Sequence, residues 1–204
     1  YQITAGGIAL AGQYAGYAAF NFNLHYSATA GKMAVCYPNG PVVTYDFNSN
    51  TGVISNQVQV GAIANAYDAE FSPDGTKLYF SGWANVQLHQ LDLTTNVVTG
   101  LYTSPNYGGG LRTGPDGKIY HVNNNAGTFL GVIDNPNAAG LACNYVANGF
   151  NVGVPIGGLN LPEVLAGVIP DIVTGVTVNT VNNVSCNGGS KGSASVTPSG
   201  GAPG

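Results

Sequence analysis

The sequence predicts an all-β chain built from repeated four-stranded units, and three observations predict it. A Pro-Asp-Gly turn at Pro73-Asp74-Gly75 returns at Pro115-Asp116-Gly117, 42 residues later. A second landmark, an aspartate closing an apolar run, recurs in phase at Asp46, Asp92 and Asp134. Around the first turn apolar residues alternate, with Tyr67, Ala69 and Phe71 before it and Leu78 and Phe80 after it. That period of two is the mark of a hairpin with one buried face.

Taken in order, residues 1–31 contain no Lys, Arg, Asp or Glu. Gln2, Gln13, Asn21 and Asn23 interrupt this neutral run, so it lacks the roughly 20 predominantly apolar residues of a spanning helix. It also lacks the basic start and apolar centre of a signal peptide. The chain begins at Tyr1 and stops at Gly204 in mid-pattern, and is read as a processed or truncated piece of something longer. The first unit is degenerate: Tyr26 to Val35 carries Gly31, 44 residues before Gly75, and Val43-Thr44-Tyr45-Asp46-Phe47 follows.

The middle unit is the clearest. Its strands fall at about 67–71, 77–83, 87–92 and 97–102, broken by turns at 73–76, 84–86 and 94–96. In Pro-Asp-Gly, proline presets φ, aspartate bonds the following backbone and glycine accepts a left-handed conformation. The third unit repeats this as Thr113-Gly114-Pro115-Asp116-Gly117-Lys118-Ile119-Tyr120-His121-Val122, and then Leu130-Gly131-Val132-Ile133-Asp134. Four strands in each period of about 40–45 residues mark a β-propeller blade. A β-sandwich also spaces strands closely, but gives no reason for both landmarks to return together. Closed propellers have about four to eight blades, whereas three units cover about 20–150. The expectation is therefore a partial propeller of about three to four blades within 1–163. Gly167, Pro170 and Asp171 then break the strand pattern, which places a linker at 164–172. Valine alternating with Thr and Asn over 173–181 reads as a strand, and 193–197 as the next one.

Composition narrows function. Charged residues make up 7 % of the 204 positions, against about 25 % in an ordinary soluble domain. The five cations, Lys32, Lys77, Arg112, Lys118 and Lys191, are scattered singly in a chain of net charge −4. Binding to a phosphate backbone needs clustered cations, so nucleic acid is excluded as the main partner. The hydrophobic share of 44 % supports a real core. Cys36, Cys143 and Cys186 have no zinc-ligand spacing and read as small buried apolar residues, although any one pair could bridge.

Each candidate site meets a structural alternative. Gly188-Gly189-Ser190-Lys191-Gly192 matches a nucleophile elbow, but no histidine follows in the chain and no helix fits there, so it is set aside. Gly31-Lys32 and Gly117-Lys118 lack the hydroxyl residue that a phosphate loop needs after its lysine. His25, His89 and His121 belong to three units but to different strands, which argues against a shared metal. Asp68 and Glu70 would share one face of a strand, and are expected to be structural or solvated, as Asp74 and Asp116 are in their turns. Trp83 and Tyr107 could stack on a sugar or pack between blades. Asn183-Val184-Ser185 is a glycosylation sequon. No catalytic, cofactor-binding or metal-ligating set is expected.

Two stretches carry a family resemblance. The run from Tyr67 to Tyr79, then Gly114 to Tyr120, Val132 to Asn137 and Gly158-Leu159-Asn160-Leu161-Pro162, resembles the propeller region of large secreted surface proteins of the Bacteroidetes. In that family the last motif is Gly-Leu-Pro with an aromatic soon after; here Asn160 and Leu161 intrude and Glu163 follows. The run from Val184 to Gly204 resembles the opening half of an SprB-type repeat, with Cys186, Gly188 and Gly189 in order. The resemblance implies an immunoglobulin-like β-sandwich repeat starting within 173–204, and export by type IX secretion. No cofactor is expected.

Three functions follow as expectations. The first is a non-catalytic extracellular or cell-surface adhesin or stalk segment, partnered by a glycan or protein surface and by the secretion machinery during export. The second is a self-assembling subunit whose open edges pair with other copies. The third is a fragment of a polysaccharide-active propeller enzyme, in which Asp68 and Glu70 would matter.

Overall fold

The structure is a computed structural model that describes residues 2–4, 7–9, 23–37, 40–61, 65–82, 87–103, 109–123, 126–162, 175–182 and 193–199. The chain divides into two compact units, Tyr1–Pro162 and Glu163–Gly204. In the first unit, β1 (Gln2–Thr4) and β2 (Gly7–Ala9) form a small hairpin. Three four-stranded antiparallel sheets follow, each connected strand to strand in sequence order. Blade 1 holds β3 (Asn23–Ser27), β4 (Lys32–Cys36), β5 (Val42–Asn48) and β6 (Val53–Val60). Blade 2 holds β7 (Ala66–Phe71), β8 (Lys77–Gly82), β9 (Gln87–Asp92) and β10 (Val97–Thr103). Blade 3 holds β11 (Leu111–Thr113), β12 (Ile119–His121), β13 (Phe129–Ile133) and β14 (Tyr145–Asn151), with a 3-10 turn at Gly140–Cys143. The second unit is described as one antiparallel pair, β15 (Gly175–Asn182) with β16 (Ser193–Ser199).

The fold is all-β, with the repeated up-and-down sheets of a partial propeller. Blade 2 matches the expected strands to within a residue at each end. Its expected turn at 84–86 and the linker at 164–172 lie outside the described residues.

The recurring aspartate has a physical cause. Each blade ties its second strand to the end of its third by one ion pair: Lys32 with Asp46, Lys77 with Asp92, and Lys118 with Asp134. Lys77 Nζ lies 3.3 Å from Asp92 and Lys118 Nζ 2.7 Å from Asp134. Asp92 Oδ1 also accepts from the backbone N–H groups of Thr94 and Thr95, fixing the next turn. The two glycine–lysine pairs thus belong to hairpin ends, and Gly31 and Gly117 take positive φ there.

Alternation along the strands builds two seams. Ala34, Cys36 and Val42 of blade 1 meet Ala69, Phe71, Leu78 and Phe80 of blade 2. Tyr79 and Leu88 on the other face of blade 2 meet Leu111, Ile119, Ile133 and Cys143 of blade 3. Burying a side chain such as Leu78 or Phe80 contributes about 1.5–3 kcal/mol. Tyr79 and Gln90 are satisfied inside the second seam: Tyr79 donates to the Pro136 carbonyl, while Gln90 donates to Tyr79 and Ala138 and accepts from the Gly140 N–H. Cys36 and Cys143 are free thiols, buried in different seams, and burial raises both above the ordinary thiol range. Cys186 lies outside the described residues.

Backbones also approach closely. A Cβ on Gly75, whose φ is +71°, would stand 2.7 Å from the Ala30 nitrogen, so this turn of blade 2 rests on the turn of blade 1. A Cβ on Gly109 would stand 2.3 Å from the Leu159 carbonyl oxygen, which lets the stretch 158–162 run beside the start of β11.

Candidate functional site: a polar cluster on the inner strands

The first strand of each blade packs on the first strand of its neighbour, β3 against β7 and β7 against β11. Residues at corresponding positions of successive blades therefore meet. His25, Asp68 and Arg112 also meet here, from positions 43 and 44 residues apart that are offset from the repeat. Asp68 is fully buried. Its Oδ1 lies 2.6 Å from His25 Nε2, and its Oδ2 accepts from the Leu111 N–H at 2.9 Å and from Arg112 Nη1 at 2.8 Å. One carboxylate thus joins three blades and both its oxygens are occupied. A charge this deep in the protein is tolerable only when so paired.

Glu70 lies two residues along β7 and on the same side. Its Oε1 accepts from Thr113 Oγ1 at 2.7 Å, and its Oε2 lies 3.7 Å from His25 Nδ1. Burial is the main influence on Glu70 and raises its pKa; Thr113, His25 and Arg112 pull the other way. Because the Asp68 oxygens only accept, His25 carries its proton on Nε2, and in the neutral ring Nδ1 is left as an acceptor facing Glu70. A carboxyl whose pKa burial raises, an imidazole and a fully buried carboxylate stand in sequence. That is the arrangement proton transfer needs.

The cluster opens onto a cavity of about 180 Å³ lined by His25, Tyr26, Ser27, Glu70, Phe71, Ser72, Pro73 and Thr113. The register shift between Ala66 and Asp68 sets the pitch of β7 here, and bulges commonly re-aim side chains beside sites. Asp68 is not solvated, in contrast to one of the two roles expected for it. His89 and His121 stand apart on β9 and β12. His89 stacks on Phe80 with ring centres 5.5 Å apart. His121 is fully buried with Nδ1 3.0 Å from the Tyr145 hydroxyl. Asp74 and Asp116 bond within their own turns, to Thr76 and Lys118. Trp83, Tyr107, the Gly188–Gly192 motif and the sequon at Asn183 lie outside the described residues. Among the described residues no group of three or more His, Cys, Asp or Glu side chains is placed to hold a metal ion. No helix among them is long and apolar enough to cross a membrane.

Sequence reading missed His25 and Arg112 as partners of Asp68. The repeat gave no direct signal for them, since its spacings of 44 and 42 residues set His25 in line with Ala69 and Asp68 in line with Gly110.

No protein-family model matches the chain, and no curated protein matches it. Among solved structures it is similar to a luciferin-regenerating enzyme, at 19 % identity and a TM-score of 0.41 over 49 % of this chain and 36 % of that one. It is also similar to a candidate 6-phosphogluconolactonase from Bacteroides fragilis, at 16 % identity and a TM-score of 0.40 over 54 % and 33 %. The chain spans about a third of the length of either structure. Both are named for enzymatic activities, against the expectation of a chain without one.

Proposed function

We propose that the chain is the site-bearing part of a propeller enzyme acting on polysaccharide, with Glu70 as the group that moves a proton. The observation that carries this reading is the sequence Glu70, His25, Asp68 at a pocket. Asp68 is saturated by three N–H donors and orients His25. Glu70, protonated more readily than a solvated carboxyl, donates its proton to the departing glycosidic oxygen, a water molecule adds to the anomeric carbon as that bond breaks, and His25 Nδ1 takes up the proton the water loses and returns it to Glu70. The hydroxyls of Ser27 and Thr113 and the ring of Tyr26 suit a polyhydroxylated ligand with apolar faces. The test is reducing-end release from soluble polysaccharides by the full-length protein. Glu70→Gln abolishes turnover while leaving the fold and ligand binding intact. Equal turnover by the wild type and Glu70→Gln, or none by either, sinks the reading.

We propose in addition that the protein is displayed outside the cell. What supports this is the low charge and the run 184–204 that resembles an SprB-type repeat. Protease treatment of intact cells tests it, since an internal protein survives and a displayed one is cut.

A further inference from the structure

We propose that the polysaccharide site extends past the pocket at Glu70 into a second pocket, with Tyr26 as the wall between them and the stacking platform for a sugar ring. This rests on the reading above and names the ligand as a chain of several sugar units. The first pocket, at about 180 Å³, is smaller than the roughly 300–1,000 Å³ usual for small-molecule sites. A second cavity of about 340 Å³ adjoins the same end of blade 1, lined by Tyr26 with Gly31, Asp46, Phe47, Asn48 and Asn50 among others.

Tyr26 belongs to both linings. Its position follows from strand alternation. His25 turns toward blade 2 and bonds Asp68, while Tyr26, the next residue of β3, points away and is 43 % exposed. Its ring meets Phe47 edge to face, with centroids 5.2 Å apart and planes at 86°, so it is braced by Phe47 while remaining exposed. An exposed aromatic face held in one orientation, beside Asn and Asp side chains, offers apolar contact to a sugar ring and hydrogen bonds to its hydroxyls. The two pockets lie at the end of the blades where the 28–31 and 72–75 turns touch. A ligand with one unit at Glu70 and the next over Tyr26 would fill both.

The experiment is calorimetric binding of cello-oligosaccharides and malto-oligosaccharides, from the monosaccharide to the hexasaccharide, to the full chain. Affinity in one series rises about tenfold or more between one unit and the longer chains. Tyr26→Ala removes that rise, and Tyr26→Phe keeps it. Asn50→Trp, which fills only the second pocket from an exposed position, also removes it and serves should Tyr26→Ala fail to fold. Affinity independent of chain length, or a rise that survives both Tyr26→Ala and Asn50→Trp, overturns the extended site and leaves turnover at Glu70 standing. A length-dependent rise lost in Tyr26→Ala, in a protein without turnover, supports the extended site and overturns the enzymatic reading. Absence of binding in both series overturns the two together.

Discussion

His25 Nε2 and Asp68 Oδ1 stand 2.6 Å apart across the junction of the first two blades, from positions 43 residues apart in the chain. The contact is both structural and functional, because the same carboxylate also holds Leu111 and Arg112 of the third blade. Asp68→Ala removes the one acceptor shared by three N–H groups at a fully buried point. Breaking a buried charge pair by deleting one partner costs about 3–5 kcal/mol. A loss of that size in urea unfolding is expected, with a smaller one for Asp68→Asn, which keeps the volume. A loss under about 0.5 kcal/mol in Asp68→Ala would show that the blades do not depend on this junction.

Glu70 should trade stability for chemistry. Burial raises its folded pKa above the ordinary 4.5. Between 4.5 and that raised value the folded state binds more protons than the unfolded one. Its contribution is therefore complete below pH 4.5 and is lost as pH rises through the folded value. Glu70→Gln cannot ionise, so it gains stability over the wild type at neutral pH and gains little at pH 4. Paired urea titrations at the two pH values check this, and equal differences at both would contradict it.

The sequence made the blades legible because the chemistry of each turn is local. Pro73-Asp74-Gly75 shapes a hairpin whatever surrounds it, and Asp92 is required wherever Lys77 must be neutralised and the next turn tied. Asp68 and Glu70 were legible as a pair on one face, since alternation along a strand is also local. Their environment was not. Whether a carboxylate is solvated depends on what the neighbouring blade brings, and His25 and Arg112 arrive from a full repeat away on either side. Tyr26 and Phe47 meet through a hairpin end, which no periodicity in the chain announces.

Two turn glycines separate backbone conformation from blade contact. Gly75 has φ +71° and a Cβ there would press on Ala30 at 2.7 Å; Gly117 has φ +77° with nothing within 4 Å. Placing alanine in the left-handed region costs about 1–2 kcal/mol, which is the whole effect expected for Gly117→Ala. Gly75→Ala carries that cost and must also move the backbone of blade 1. Thermal unfolding should therefore rank Gly75→Ala clearly below Gly117→Ala. Equal midpoints would mean that the two turns do not touch in solution.

Acid sensitivity should be largest at His121, with His89, whose pKa burial also lowers, adding to it. The His121 ring is fully buried between blades 2 and 3, beside Tyr145, and desolvation lowers its pKa from 6.5 to about 3. Between those values the unfolded chain binds a proton that the folded protein refuses, so stability is full above pH 6.5 and falls as pH drops toward 3. The slope is about 1.4 kcal/mol per pH unit for one such group. Asp46, Asp74 and Asp92, whose folded pKa values lie below 3.8, add their own loss only at lower pH. His121→Leu cannot take up the proton. It begins less stable at pH 7, having lost the bond to Tyr145, and then declines less steeply than the wild type down to about pH 4.5, with His89 still contributing its share. Parallel curves for the two proteins over pH 6.5 to 4.5 would place the acid sensitivity elsewhere.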